Sequence, residues 1–268
     1  MAETNKVKEG QRQVVKYFTS AAPKWDQHYK GTDVLSRVFQ RRREVILRMV
    51  SELPLTKDAC VLEVGCGAGL TSVELARRGY TVQPVDLAKT MINLTLQHAT
   101  QSNVFNKIFA SIGDVQNLQF VNNTFDLVLA VGVLPYLHSA LKAMKEMARV
   151  TKKHGYLIFT SDNYWRLDRF LDPDWSPLLK PLSEHAKEYR MPDYVYSIKE
   201  VRNLLNSAQL EECKVVTTGY GPFTFRSKKI PERAGVWINE RLQQLAERDP
   251  KSLLSKLGSH HILLVRKP

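Results

Sequence analysis

The stretch ACVLEVGCGAGLTSVELARR, residues 59–78, constrains the fold more than any other part of the chain. It passes from a short apolar run into three glycines within five residues and then directly into helical spacing. That is the pattern of a buried strand, a tight turn and an amphipathic helix. The alternation then repeats. Strands are predicted at about 59–64, 80–85, 107–112, 125–131 and 155–160, with helical segments at about 69–78, 88–100 and 137–150. Only a short connection separates the third and fourth strands. Short apolar strands joined through helices require right-handed crossovers, and hence a doubly wound parallel sheet covered on both faces.

Two helices precede this core, at 11–22 and 33–53, the second ending near Pro54. After the fifth strand the regularity breaks: residues 162–197 hold Tyr164, Trp165, Trp175, Tyr189, Tyr194 and Tyr196 in an irregular, aromatic insertion. A helix at 197–208, a strand at 211–217, a second break leading into a helix at 232–248, and a strand at 260–267 complete the pattern. At 268 residues and 43% hydrophobic, the chain has room for one large decorated domain.

Cys60, Cys66 and Cys213 have no paired spacing, and no Cys or His cluster has metal-ligand spacing, so neither a disulfide nor a metal is expected. The polar start MAETNKVKEGQRQ and the lack of an apolar run near 18 residues long point to a soluble cytoplasmic protein. The net charge of +12 raises three anionic partners: nucleic acid, a membrane surface, or an acidic small molecule.

In an open parallel sheet, ligands bind beyond the carboxyl ends of the strands, and the first strand-to-helix turn is the usual place. Here that turn is GCGAG, where Gly65 permits tight turning and Gly67 and Gly69 let a ligand approach the backbone. Glu63 lies in the strand before it, Asp86 at the end of the second strand, and Asp114 at the end of the third. Carboxylates at neighbouring buried strand ends need partners, which a ligand with amino and hydroxyl donors would provide. The spacing G-x-G-x-G, with apolar Leu70 following, departs from the dinucleotide fingerprint G-x-G-x-x-G. A cofactor with a cationic amino group and no phosphate fits better.

VLEVGCGAG with Asp86, then GDVQNL, FDLVLAVGVLPYLH and MARVTKKHGYLIFT, over about residues 58–161, resembles the class I S-adenosylmethionine-dependent methyltransferases. The likeness is to their small-molecule group, which includes ubiquinone, menaquinone and magnesium-protoporphyrin methyltransferases. It implies an α/β, Rossmann-like, seven-stranded mostly parallel sheet with helices on both faces. It also implies an amino-terminal helical lid (1–57), a core (58–161), a cap inserted after strand 5 (162–197) and a carboxyl-terminal part (198–268) with a helical insertion at about 219–258. The implied cofactor is S-adenosyl-L-methionine, with S-adenosyl-L-homocysteine as product. Gly65 and Gly67 would lie under its methionine part, with Glu63 near the amino group, and Val131 and Gly132 would flank it. Asp86 would hold the ribose hydroxyls, Leu87 and Met91 would border the nucleoside, Asp114 would accept the adenine amino group, and Val115 would offer its amide. Cys66 would be a small packed residue of the loop. VVKYFTSAAPKWDQHY resembles the lid of this group, in which Tyr17 would reach the cofactor carboxylate and Trp25 or Tyr29 would cover the sulfonium; the same aromatics could equally fasten the helix to the sheet.

The resemblance implies methyl transfer to a small organic acceptor, on oxygen, nitrogen or carbon, by in-line displacement that relies on positioning and water exclusion. His138, just past the fourth strand, is the first candidate for a general base, with His185 and Tyr189 behind it and Tyr136 as a pocket-shaping residue; His138 reads equally well as a solvated residue at a helix start. An RNA methyltransferase would use the same core, but the positive charges are scattered (Arg41, Arg42 and Arg43; Lys228, Lys229 and Arg233) and VGVLPY stands where many base-amino methylases carry an NPPY-type tetrapeptide. A non-catalytic cofactor-binding module is the other alternative. The helix PERAGVWINERLQQLAER, with Val236, Trp237, Leu242 and Leu245 near one side, is compatible either with packing on its own domain or with lying on anionic lipid.

Overall fold

The computed structural model of the protein describes residues 2–167, 194–225 and 228–268. Helices α1 (Ala2–Trp25) and α2 (Val34–Glu52) come first, joined through a 3-10 turn at Asp26–Tyr29. Asp33 starts α2 by accepting the Ser36 amide at 3.1 Å, which satisfies a donor that has no partner within the helix. The helix stops before Leu53, because Pro54 disfavours helical backbone in the residue ahead of it.

Seven strands form one sheet: β1 (Cys60–Val64), β2 (Thr81–Asp86), β3 (Ser111–Ile112), β4 (Phe125–Ala130), β5 (Thr151–Asp162), β6 (Glu211–Thr218) and β7 (His260–Arg266). Their order is β3-β2-β1-β4-β5-β7-β6, and only β7 runs antiparallel to its neighbours. The order reverses between β1 and β4, so a crevice opens above their carboxyl ends. Further helices among the described residues are α3 (Leu70–Arg77), α4 (Lys89–Gln101), α5 (Ala140–Val150), α6 (Ile198–Ser207) and α7 (Glu232–Arg248).

The period-2 alternation of β4 divides the core. Leu127 and Leu129 join Ile46, Met49 and Val50 of α2 and Val73 of α3 on one face, whereas Val128 and Ala130 join Met144 and Met147 of α5 on the other. These side chains are fully or almost fully buried, and each of those larger than Ala130 contributes roughly 1.5–3 kcal/mol.

The doubly wound order agrees with the sequence, while several boundaries move. β3 is two residues long instead of spanning 107–112: Phe105–Lys107 forms a 3-10 turn and Ile108 makes a single bridge to Val82. It is an edge strand, and Phe109 and Ile112 stand exposed there, so burial does not extend it. β5 starts at Thr151 and not 155, because its hydroxyl donates to the Met147 carbonyl at 2.7 Å and passes α5 straight into the strand. The helix predicted at 137–150 starts later, at Ala140 behind a Ser139 cap, and a 3-10 turn at Leu134–Tyr136 precedes it. β2 continues unbroken through Pro84. Of the 162–197 insertion, 168–193 lie outside the described residues, with Trp175, His185 and Tyr189 among them.

Candidate active site

The GCGAG loop folds as its glycines require. Gly65, Gly67 and Gly69 have φ of 63°, 54° and 73°, in the left-handed region that side chains avoid. At Gly69, which leads into α3, a Cβ would come within 2.5 Å of the Thr95 side chain on α4. At Gly67 a Cβ would point at the Trp25 indole nitrogen, 3.4 Å away, so the bare backbone there faces the underside of α1. Thr95 ties the loop down by donating to the Gly67 carbonyl at 3.1 Å.

Glu63 is buried in β1 and accepts a short hydrogen bond from the Ser72 hydroxyl of α3. Burial pushes its carboxyl up to about 7, with Ser72 and the Arg43 charge opposing and the Asp86 charge adding a little. Asp86 accepts the amides of Gly67 at 3.0 Å and Ala88 at 2.8 Å, one on each oxygen. Its burial raises the carboxyl and the amide bonds from Ala88, Gly67 and Leu87 resist that rise. Cys66 is buried against Thr95, and burial pushes its thiol well up, which leaves a packed neutral group and not a nucleophile.

A single continuous cavity crosses the carboxyl ends of the strands. On the β2–β3 side it is lined by Asp86, Leu87, Gly113 and Val115; above β1 and β4 by Glu63, Gly65, Cys66, Gly67, Val131 and Gly132; on the β5–β7 side by Tyr29, Phe39, Arg42, Asp162 and His260. Gln11, Val14, Val15 and Phe18, at helical spacing on α1, wall it off from above together with Trp25.

Ten of the predicted residues therefore come together: Trp25, Glu63, Gly65, Cys66, Gly67, Asp86, Leu87, Val115, Val131 and Gly132. Trp25 packs its ring on Phe18 at 5.3 Å and on Phe39 at 6.2 Å and also lines the cavity. Four others are not on the wall. Tyr17 is exposed, because the phase of α1 turns Phe18 inward in its place. Met91 is buried beside Ala22 and Ala88, filling the space under α1. Asp114 sits at the rim, where its carboxylate accepts the Gln11 amide group at 2.6 Å and the Gln116 backbone amide at 2.9 Å. His138 is exposed in the turn ahead of Ser139 and is not among the residues that line the cavity.

Three residues that the sequence reading did not assign to the site belong to it: Gln11, Arg42 and His260. Arg42 is 5% exposed and lies over the Phe39 ring at 4.7 Å and beside Gly132. Its Nε has no hydrogen-bond partner, and among the described residues no carboxylate or carbonyl pairs with the guanidinium. A buried charge without a counter-charge is costly, and an anionic ligand would relieve it. The neighbouring arginines go elsewhere: Arg41 pairs with Glu44 and Glu247, and Arg43 donates to the Leu70 carbonyl at 2.7 Å. The signal was present in α2, where Arg42 falls in phase with buried Val38, Val45, Ile46 and Met49. His260 is buried at the start of β7, with Nδ1 unpartnered and Nε2 3.7 Å from Asp162 Oδ1. Burial, reinforced by the charges of Arg42 and Arg166, holds the imidazole pKa well below its ordinary value, so the ring is neutral at physiological pH. Among the described residues no cluster of His, Cys, Asp and Glu has the form of a metal site.

The sequence profile of the methyltransferase domain matches residues 62–159. A ubiquinone biosynthesis O-methyltransferase of Coxiella burnetii is 29% identical over 119 residues, 44% of this chain and 50% of that protein. The protein of the same name in Acinetobacter baylyi is 26% identical over 152 residues, 57% of this chain and 62% of that one. The chain thus spans about half the length of the Coxiella relative it matches. Among solved structures, magnesium protoporphyrin IX methyltransferase from Synechocystis PCC 6803 with bound S-adenosylhomocysteine superposes with a TM-score of 0.64 at 17% identity, covering 97% of this chain and 100% of that one. The [4+2]-cyclase SpnF superposes with a TM-score of 0.66 at 15% identity, covering 96% of each chain. Residues 62–159 are therefore similar to the methyltransferase domain family, and the chain as a whole shares the fold of the solved S-adenosylmethionine-dependent methyltransferases.

Proposed function

We propose that the protein moves a methyl group from S-adenosylmethionine to a small organic acceptor. The observation that carries this reading is the distribution of charge along one cavity: buried acceptors at Glu63 and Asp86, and a buried unpaired guanidinium at Arg42 beside Gly132. A cofactor with ribose hydroxyls, an amino group and a carboxylate answers each of them. Bound there, it supplies a methyl group on a positively charged sulfur.

Asp86 has lone pairs left after its two amide bonds, and these accept the ribose hydroxyls. Leu87 and Val115 border the base. Glu63 faces the amino group, and Arg42 takes the carboxylate as a bidentate partner. Phe18 and Trp25 shut water out from above. Because the reaction neutralises charge, excluding water and aligning the acceptor do most of the work. The acceptor sits on the β5–β7 side, among the rings of Tyr29, Phe39 and Tyr136, which favour an apolar or planar molecule. His260, buried on this side with Asp162 3.7 Å from its Nε2, takes the place of exposed His138 as the residue that accepts a hydrogen bond from an acceptor hydroxyl or amine and orients it.

Calorimetry with S-adenosylhomocysteine, followed by incubation of the protein with methyl-tritiated S-adenosylmethionine and a panel of cell extracts, tests the proposal. It expects binding, and label in a product soluble in organic solvent. No binding would refute it. Binding without turnover in any extract would favour a cofactor-binding module, and label in RNA would favour an RNA methyltransferase.

A further inference from the structure

Helix α7 carries large apolar residues on two faces, Ile238 and Leu242 toward its own domain and Trp237 and Leu245 toward solvent. Its buried positions are Gly235, Asn239, Gln243 and Ala246, small or polar. Asn239 accepts the Tyr220 amide at 2.9 Å and Gln243 the Gly219 amide at 3.0 Å, and Ile238, Leu242 and Ala246 pack with Tyr220 and Phe223, so polar and apolar contacts together hold this inner face and leave the opposite face without a partner among the described residues. The outer face carries Arg233, Trp237, Arg241, Leu245 and Arg248, which at 100° per residue fall within roughly one third of the helix circumference. Trp237 is 61% exposed and Leu245 51%, and the Arg241 guanidinium lies 5.9 Å from the Trp237 ring. Just past the helix, Leu253 is 72% exposed.

The acidic residues of the helix are largely spent elsewhere. Glu232 accepts the Val34 amide at 2.6 Å, and Glu247 is bound by Arg41 and Gln243, which leaves Glu240 at the edge of the arginine face. We infer that this face docks the protein on an anionic membrane surface, the arginines meeting lipid phosphates while Trp237, Leu245 and Leu253 enter the interfacial region. The chain's net charge of +12 has the complementary sign. A nucleic acid would meet the arginines but leave the two leucines in water. The placement also has a use: Glu232 and Gly235 rest against Val34 at the start of α2, and the next turn of α2 lines the cavity with Leu35 and Val38. A bilayer on α7 would therefore lie beside the acceptor side of the cavity; this last point, unlike the docking itself, rests on the proposed function.

Co-flotation of the full chain with vesicles tests the inference. Vesicles of phosphatidylcholine containing phosphatidylglycerol should carry the protein, vesicles of phosphatidylcholine alone should not, and about 0.5 M salt should release it. Trp237→Ala or Arg241→Gln should each lower the bound fraction roughly fivefold, with S-adenosylhomocysteine affinity unchanged as a check on folding. Brominated lipid should quench the tryptophan emission, and Trp237→Phe should remove that quenching although Trp25, Trp165 and Trp175 are still present. Absence from anionic vesicles, equal flotation with neutral ones, quenching that survives Trp237→Phe, or binding to bulk transfer RNA in preference to vesicles would overturn it.

Discussion

The Gly67 amide donates to Asp86 Oδ2 at 3.0 Å and thereby joins the loop after β1 to the end of β2. The same carboxylate holds the Ala88 amide at the start of α4, so one side chain fixes the spacing of three elements around the nucleoside end of the cavity. Asp86→Ala should weaken S-adenosylhomocysteine binding by about 1–3 kcal/mol, roughly 5- to 150-fold in Kd, because the ribose hydroxyls and the loop amide both lose their acceptor. An unchanged Kd by calorimetry would remove Asp86 from the site.

Glu63 gives the site a pH dependence. Its carboxyl titrates near 7 in the folded protein against an ordinary value of 4.5, so the native state keeps a proton that the unfolded chain gives up. Its contribution to stability is complete below about 4.5 and is lost as pH rises through about 7. Glu63→Gln, which still accepts from Ser72, should stabilise the ligand-free protein above pH 7 by up to about 3 kcal/mol and change little near pH 4.5. A cationic amino group favours the ionised form, so S-adenosylhomocysteine affinity should rise between about pH 5.5 and pH 7.5 with release of a proton. In Glu63→Gln that slope should vanish; thermal melts and calorimetry across this range read both effects.

Arg42 should show a trade of stability against binding. Arg42→Met removes a buried charge that has no partner among the described residues, and the ligand-free protein should melt several degrees higher, about 2–4 °C per kcal/mol. Affinity for S-adenosylhomocysteine should fall about tenfold or more. Methylthioadenosine, which lacks the carboxylate, should bind the variant and the parent equally. A similar loss for both ligands would mean that Arg42 acts through the shape of the cavity.

Gly69 tests the loop itself. Gly69→Ala would combine a left-handed backbone with a methyl group 2.5 Å from Thr95, and should cost about 2–4 kcal/mol of stability in a denaturant titration. Adding Thr95→Ala should relieve the contact and restore only part of the loss, because the backbone conformation remains. Complete rescue would assign the whole effect to packing.

What could be read from the sequence is what neighbours in sequence determine. The glycines, Glu63 and Asp86 lie within one strand-turn-helix-strand unit, so their spacing alone points to a site above the strand ends. Gln11 meets Asp114 across more than 100 residues, and Arg42 meets the His260 side of the cavity because α2 and β7 converge there. No local pattern records those meetings. His138 follows β4 in sequence, yet it is exposed in the turn before α5, while the histidine that reaches the cavity arrives on β7. The α7 segment was recognisable as a helix, but which side it buries depends on polar bonds to Gly219 and Tyr220 that its own composition does not reveal.

The position of β7 also bears on how the protein is made. It is the last strand in the chain, yet it pairs on one side with β5 and on the other with β6, inside the sheet. While residues 260–266 are still within a ribosome, the facing edges of β5 and β6 are unpaired and the two cannot take up their final separation. A nascent chain can assemble β1 to β4 early, but the sheet closes only when this strand inserts between partners made about 100 and 45 residues before it. Synthesis therefore exposes two open edges for a long interval, and the arrival of β7 ends it.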